Sequence, residues 1–459
     1  MNLLFIQCDQ LSAGALGCEG NPYVKTPHLD ALAARSKVFT QAYCAFPKCV
    51  PSRTAWTYGR MPHEVMMPGT ETDMGARPGD PKRGVRPEYR SEEMGHWFAD
   101  RGFDCVFAGK WHVGQWGPTE SLREEYGSGF RALCPINDPE VPRACADYFR
   151  TRDAGRPFLM VASFDNPHNI CEYGPGSALP WGNLGAPPAT AELPPFPANG
   201  YSHPEEPLVI RQRQADVTAK LGFSAEEWRR YRWAYFRLVE KLDAEVGRLL
   251  SALDDAGLRE STAIVFTSDH GDMQGAHGLW QKEMFFEESV HVPCFLSLPG
   301  GQAETDDSLV NNALDIFPTL CRLANISAPD GLHGRDLSGS EESAPEYTAS
   351  ELKLASRVEA RMIRSRHYKY VAFDTGPRRE QLFDLEKDPG EMVNLAGIDR
   401  HSEILHEHRQ FLRDWLERTD DPFGKTHYAR PGCRDSIPGD EWGCASRAAF
   451  LPPLNTPPL

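Results

Sequence analysis

The chain contains no apolar run approaching the roughly 18 to 20 residues that a membrane span needs, so a soluble protein without a membrane partner is expected. It also lacks any excess of positive charge. Lys and Arg number 49 against 65 Asp and Glu, a formal balance of -16, which excludes a general nucleic-acid binder because phosphate binding requires a positive field. A local basic pocket remains compatible with that balance. The twelve cysteines form no CxxC pair and keep no regular spacing, so zinc-ribbon and thioredoxin-like sites drop out. Most of them read as small buried hydrophobes. There is no internal repeat. No basic segment, long apolar core or small-residue cleavage site surrounds the opening Leu3-Leu4-Phe5-Ile6. With no secretory signal visible, the reading is cytoplasmic as written, or periplasmic or secreted if a signal was trimmed.

What is present is ordinary globular composition, 40% hydrophobic and 25% charged, over 459 residues. That is enough for one large domain and a smaller one. Short apolar runs at Asn2 to Gln7, Cys105 to Ala108, Pro157 to Ser163, Thr262 to Thr267 and Cys294 to Leu298 read as buried strands. Helical spacing covers Pro27 to Arg35, Ser91 to Arg101 and Ala225 to Leu253. This alternation predicts an α/β fold, a large mostly parallel sheet sandwiched by helices, with sites beyond the carboxyl ends of the strands. The Pro- and Gly-rich stretch from Cys171 to Pro207 reads as a long loop. Arg361 to Leu385 alternates like antiparallel strands around a turn at Thr375-Gly376-Pro377. The expected division is therefore residues 1–340 as a catalytic α/β domain. Residues 341–459 form a smaller C-terminal α+β subdomain, ending from Asp420 onward in a coil tail.

Several chemically capable residues fall at predicted strand ends. Asp9 and Gln10 close the first strand, and Asp269 and His270 close another. One such pair reads as a turn or cap; two Asp-led pairs suit a divalent cation held by oxygens and one imidazole. Lys110 and His112 follow the strand at Cys105, His168 follows the strand at Pro157, and Lys282 lies shortly after the Asp269 pair. Cys49 stands in Phe46-Pro47-Lys48-Cys49-Val50-Pro51-Ser52-Arg53, ahead of a helix-like segment. A buried structural cysteine would need neither the proline nor the arginine.

These motifs carry a resemblance. Cys49 to Arg53 resembles the C-x-P-S-R motif of the type I, formylglycine-dependent sulfatases of the alkaline phosphatase superfamily. Gly102 to Gly114 is similar to that family's second motif. Asp9, Thr26 to Asp30, Ser268 to Asp272 and Gln381 to Ala396 follow in the family's order, so the resemblance spans almost the whole chain. The chain departs from the pattern at Lys48, where an aliphatic residue is usual, and at Tyr58-Gly59-Arg60 in place of Thr-Gly-Arg. Phe103 and Cys105 replace Tyr and Ser or Thr. Gln10 and His270 stand where many members have Asp and Asn.

The resemblance implies an alkaline phosphatase-like fold and a sulfuric ester hydrolase that removes sulfate from a sulfated carbohydrate. Cys49 would be converted to formylglycine by a separate maturation enzyme, and one hydroxyl of its hydrate would attack sulfur. Asp9, Asp269 and His270, with Gln10 as a weaker ligand, would hold a divalent metal, calcium by default and manganese as the alternative. Arg53 would fix the diol and the carboxylates. Lys110 and Lys282 would neutralise sulfate oxygens, His168 would protonate the leaving alcohol, and His112 would take the second hydroxyl's proton. His28, His63 and His277 match no reacting position and read as structural. Tyr173, Trp181 and Trp280 could stack on a sugar or simply pack their loops. One alternative is a formylglycine-dependent phosphodiesterase or phosphonate monoester hydrolase. Another is a non-catalytic sugar-binding protein, should Cys49 stay unconverted.

Overall fold

The computed structural model describes residues 1–66, 84–113, 128–173, 179–181, 184–201, 203, 206–339, 344–354, 358–374 and 378–423. The expected coil after residue 423, the turn at 375–377 and the division near residue 340 lie outside them.

Eight strands make one sheet: β1 (Asn2–Asp9), β2 (Lys37–Tyr43), β3 (Asp104–Gly109), β4 (Arg131–Cys134), β5 (Phe158–Pro167), β6 (Thr262–Ser268), β7 (Cys294–Ser297) and β8 (Glu304–Asn311). Their spatial order is β4-β3-β5-β1-β6-β7-β2-β8. All neighbours pair in parallel except at β7, which runs antiparallel to both β6 and β2. The remaining strands therefore point the same way, and their carboxyl ends share one edge. A second sheet of β9 (Tyr347–Lys353), β10 (Glu359–Ser365), β11 (Tyr368–Phe373) and β12 (Glu380–Asp384) is antiparallel, in the order β12-β11-β10-β9.

The central strand β1 is buried along its whole length, which explains its nearly unbroken apolar sequence. Its side chains alternate between the faces. Leu3 and Phe5 join a cluster with Trp56 and Phe317, whereas Leu4, Ile6 and Cys8 join one with Tyr231, Tyr235 and Leu242. Trp56 packs edge-on against Phe5 at 5.7 Å between ring centroids; truncating it to alanine would cost about 3–5 kcal/mol.

The helix Ala225–Asp255 covers the second face. It starts at a capping box of Ser224 and Glu227 and buries Trp228, Tyr231, Tyr235, Leu238, Leu242 and Val246 at three- and four-residue steps. The helices Cys49–Tyr58 and Asn312–Ala324 cover the first face and pack on each other. No helix among the described residues is long and apolar enough to cross a membrane.

Two expectations change in detail. The helix expected over Ser91 to Arg101 is a 3-10 turn, Pro87–Glu92, followed by a shorter helix, Met94–Ala99. Glu93 breaks the run with extended backbone while its buried carboxylate accepts from the Tyr58 hydroxyl. The loop expected from Cys171 is tied down where it is described. Arg229 of the long helix donates to the carbonyls of Thr190, Leu193 and Pro194.

Candidate active site

The common edge of the parallel strands gathers the polar residues. β1 ends in Asp9 and Gln10, β6 leads to Asp269 and His270, β3 leads to Lys110 and His112, and β5 leads to His168. β2 feeds the loop that opens the helix Cys49–Tyr58, which places Cys49 at its first position. Pro51 occupies the first turn, where its missing N–H costs nothing, and Ser52 Oγ donates to the Asp269 carbonyl at 2.7 Å.

Cys49 is 1% exposed. Its sulfur stands where the oxygens of a formylglycine hydrate would be. It lies 3.3 Å from His270 Nε2, 3.3 Å from Lys282 Nζ and 3.7 Å from Asp9 Oδ1. Burial and Asp9 push its pKa up, but Lys282, His270 and a hydrogen bond with His112 outweigh them and pull it well below the thiol range.

Arg53, also 1% exposed, binds the two carboxylates from one guanidinium. Nε donates to Asp269 Oδ2 at 2.7 Å and Nη2 to Asp9 Oδ2 at 3.1 Å. Nη1 reaches Ser163 Oγ and the Lys110 carbonyl. Lys110 Nζ contacts Asp9 Oδ2 at 2.7 Å and Asp165 Oδ1 at 2.6 Å. Burial pushes the Asp9 carboxyl up, yet Lys110, His168, Arg53 and Lys282 together hold it well below its usual range. Asp269 moves the other way, raised by burial and by Asp9 beside it.

Asp9, Cys49, Asp269 and His270 offer ligand atoms within 4.8 Å of one another. His270 Nδ1 lies 3.0 Å from the Gly271 carbonyl, which can only accept, so Nδ1 carries the proton. Its Nε2 faces Asp269 Oδ1 at 3.6 Å and Asp9 Oδ1 at 3.8 Å, the position from which a neutral imidazole would ligate a metal. Acceptors converging on one point repel each other unless a cation lies among them, so this donor set fits a divalent metal. Gln10 holds left-handed backbone, φ 72°. Its Oε1 accepts from Lys282 at 2.6 Å while its Nε2 donates to Asp272 at 2.5 Å.

His168 opens a 3-10 turn, with Nδ1 3.7 Å from Asp165 Oδ1 and its side chain 27% exposed. Burial and Lys110 lower its pKa, but Asp9 and a hydrogen bond with Cys171 carry it up to about 10. Of the aromatic candidates, Tyr173 meets Tyr231 edge-on at 6.1 Å, two residues from Cys171, whose sulfur lies 3.3 Å from Gln10 Nε2. Trp181 is half-buried and its carbonyl accepts from Lys241. Trp280 is 8% exposed, with Lys220 Nζ 4.2 Å from its ring centroid, so packing accounts for it.

Sequence reasoning missed the supports. Asp165 partners Lys110, and Asp138 accepts the Asp165 and Asn166 amides at 2.7 and 2.8 Å. Asp272, raised to about 6 by burial, anchors Gln10. Asp165 and Asp272 flank His168 and His270 in the motifs themselves, which was the available signal. Asp138, in a segment without a motif, gave none.

Comparison with known proteins completes the picture. The chain matches the sulfatase family over residues 1–326 and the C-terminal family of N-sulphoglucosamine sulphohydrolase over residues 275–418. It is similar to the Delta 4,5-hexuronate-2-O-sulfatase of Bacteroides thetaiotaomicron, 30% identical over 472 residues covering 95% of this chain and 93% of the relative. Homo sapiens iduronate 2-sulfatase is 28% identical over 366 residues, 70% of this chain and 63% of that protein. Among solved structures, a 2-O GAG sulfatase superposes with a TM-score of 0.78 at 28% identity, covering 95% of this chain and 96% of that one. The phosphonate monoester hydrolase of Agrobacterium radiobacter, at 20% identity and a TM-score of 0.71 over 91% of this chain and 96% of its own, shares the fold. A cysteine presented at a helix start among metal-competent carboxylates is thus matched along nearly the full chain, and the protein belongs to the sulfatase family.

Proposed function

We propose that this sulfatase removes the 2-O-sulfate from a hexuronate in a sulfated carbohydrate. The observation that carries the reaction is the placement of Cys49 Sγ 3.3 Å from both Lys282 Nζ and His270 Nε2, beside Asp9. The substrate class is supported by the 2-O-sulfatases to which the chain is similar. In this reading residues 1–340 carry the chemistry and 341–459 form the smaller subdomain. A formylglycine-generating enzyme matures Cys49.

Formylglycine supplies the attacking oxygen and, after transfer, releases sulfate with its aldehyde restored. A metal, calcium by default, supplies Lewis acidity toward a sulfate oxygen when held by Asp9, Asp269 and His270, with Gln10 as the weaker ligand. The chain's own groups do the rest. Arg53 holds both carboxylates at fixed geometry, so little reorganisation accompanies reaction. Lys110 and Lys282 face the sulfate oxygens whose charge is redistributed. His168 is poised as the acid that protonates the departing sugar oxygen when the sulfur–oxygen bond breaks. His112, bonded to the Cys49 position, takes the remaining hydroxyl proton. A phosphonate ester reading draws on shared fold alone.

The test is sulfate release by matured protein, with formylglycine at position 49 verified by peptide mass. Substrates are an unsaturated uronate 2-O-sulfate disaccharide, its 6-O-sulfated isomer and a phosphonate ester. Release from the first alone, abolished in Cys49→Ala, is expected. Turnover of only the phosphonate ester would overturn the reading.

A further inference from the structure

Lys48, the residue that departs from the usual sulfatase motif, has a partner that motif reading leaves unassigned. Its Nζ lies 2.6 Å from Glu283 Oε1, and the other oxygen of Glu283 faces Arg213 Nη2 at 3.1 Å. Lys48 immediately precedes Cys49, and Glu283 immediately follows Lys282, so this triad adjoins the reacting pair on both chain segments. Its side chains are 12%, 18% and 30% exposed for Lys48, Glu283 and Arg213. It rises from the buried centre toward solvent.

The geometry is held by backbone that costs energy to keep. Gln281 and Glu283 have φ of 63° and 73°, left-handed conformations that non-glycine residues seldom hold. The Glu283 amide donates to the Pro47 carbonyl at 3.2 Å, and the Met273 amide to the Gln281 carbonyl at 2.6 Å. Lys282 therefore turns inward to Cys49 while Glu283 turns outward to Lys48. The helix Leu208–Leu221 runs along the same segment. Arg213 meets Glu283, and seven residues later, on the same helix face, Lys220 covers Trp280.

Two cations share one carboxylate in this triad, which leaves it one positive charge in excess. A 2-O-sulfated hexuronate carries two anionic groups, and the sulfate is the one that Lys110 and Lys282 face. Its carboxylate still needs a cationic partner, and a guanidinium beside an ammonium offers charge-assisted, forked hydrogen bonds.

We propose that Lys48 and Arg213, spaced by Glu283, form the subsite for the carboxylate of the hexuronate; this rests on the substrate class proposed above. The experiment compares matured wild type, Arg213→Met, Arg213→Lys and Lys48→Met, with formylglycine content at position 49 measured for each. The substrates are the unsaturated uronate 2-O-sulfate disaccharide, its carboxyl-reduced analogue and 4-nitrophenyl sulfate. For Arg213→Met the ratio of kcat/KM between disaccharide and aryl sulfate should fall about 10- to 100-fold, mainly through KM. Arg213→Lys should recover part of that loss. Lys48→Met should fall similarly after correction for maturation, and wild type should show a comparable loss on the carboxyl-reduced sugar. An unchanged ratio in both methionine variants, with wild type active on the disaccharide, overturns the subsite and leaves the substrate reading standing. Equal losses on both substrates also overturn it, because the triad would then only brace the fold. Wild type that hydrolyses the aryl ester but no uronate sulfate overturns the substrate reading itself.

Discussion

His63 gives the sharpest stability prediction, because it lies away from the reacting groups and its charge is fixed by geometry. Its Nδ1 lies 2.5 Å from Glu351 Oε1 and its Nε2 3.0 Å from the Thr419 carbonyl. Both partners are acceptors, so both nitrogens donate and the ring is cationic. Asp421 stands 3.6 Å away and takes two further bonds from Arg361. Burial opposes the charge, but Glu351 and Asp421 outweigh burial and Arg361, raising the pKa from 6.5 to about 9. A raised folded-state value means that the stabilisation is complete below about 6.5, the unfolded value, and is lost as pH climbs through about 9. A shift of about 2.5 units at about 1.36 kcal/mol each amounts to roughly 3 kcal/mol. The assay is urea unfolding of wild type and His63→Gln between pH 6 and pH 10. Taking the difference cancels the titrations that His63 does not influence; those of Glu351 and Asp421, which it contacts, belong to the measured gap. The stability gap should approach roughly 3 kcal/mol at pH 6 and shrink toward pH 10. A gap of constant size across that range would refute the charged-imidazole argument.

Two further outcomes follow from the site. Arg53→Lys removes the fork that binds Asp9 and Asp269, leaving one buried carboxylate short of a partner; it should cost about 3–5 kcal/mol in urea unfolding and lower kcat by at least tenfold. Dialysis of matured protein against a chelator should abolish sulfate release, and metal analysis should find about one equivalent in wild type but none in Asp269→Ala; restoration by calcium rather than manganese identifies the ion.

The parallel sheet was legible because its central strands are buried on both faces and so read as apolar blocks, as β1, β5 and β6 do. β8 was not, since its first half, Glu304 to Ser308, is largely exposed at the sheet edge and polar. β4 is four residues long with an exposed start. The site residues that bear chemistry stood out at strand ends, and the structure links Asp9, Cys49, Arg53, Lys110, Asp269, His270 and Lys282 in one connected network of contacts. What sequence could not reveal is which neighbour satisfies each of them. Asp165 and Asp138 act through hydrogen bonds between segments far apart in the chain, and such pairing leaves no local pattern. Trp280 shows the converse, an aromatic beside a motif that the fold uses for packing.

In the eight-stranded sheet, the antiparallel strand β7 separates the two halves of the reaction. The carboxylates and His270 sit on β1 and β6, at the centre of the sheet, while Cys49 arrives from β2 on the far side of β7. With strands about 4.8 Å apart, β7 sets the nucleophile's strand nearly 10 Å from β6, a gap that the Cys49 loop and helix must close. The strand behaves as a shim of fixed thickness in a machined joint. Because that thickness is set by ladder hydrogen bonds, while Phe295 and Leu296 point into the cores on opposite faces of the sheet, resizing either side chain would disturb the covering helices and leave the spacing between nucleophile strand and metal pocket unchanged.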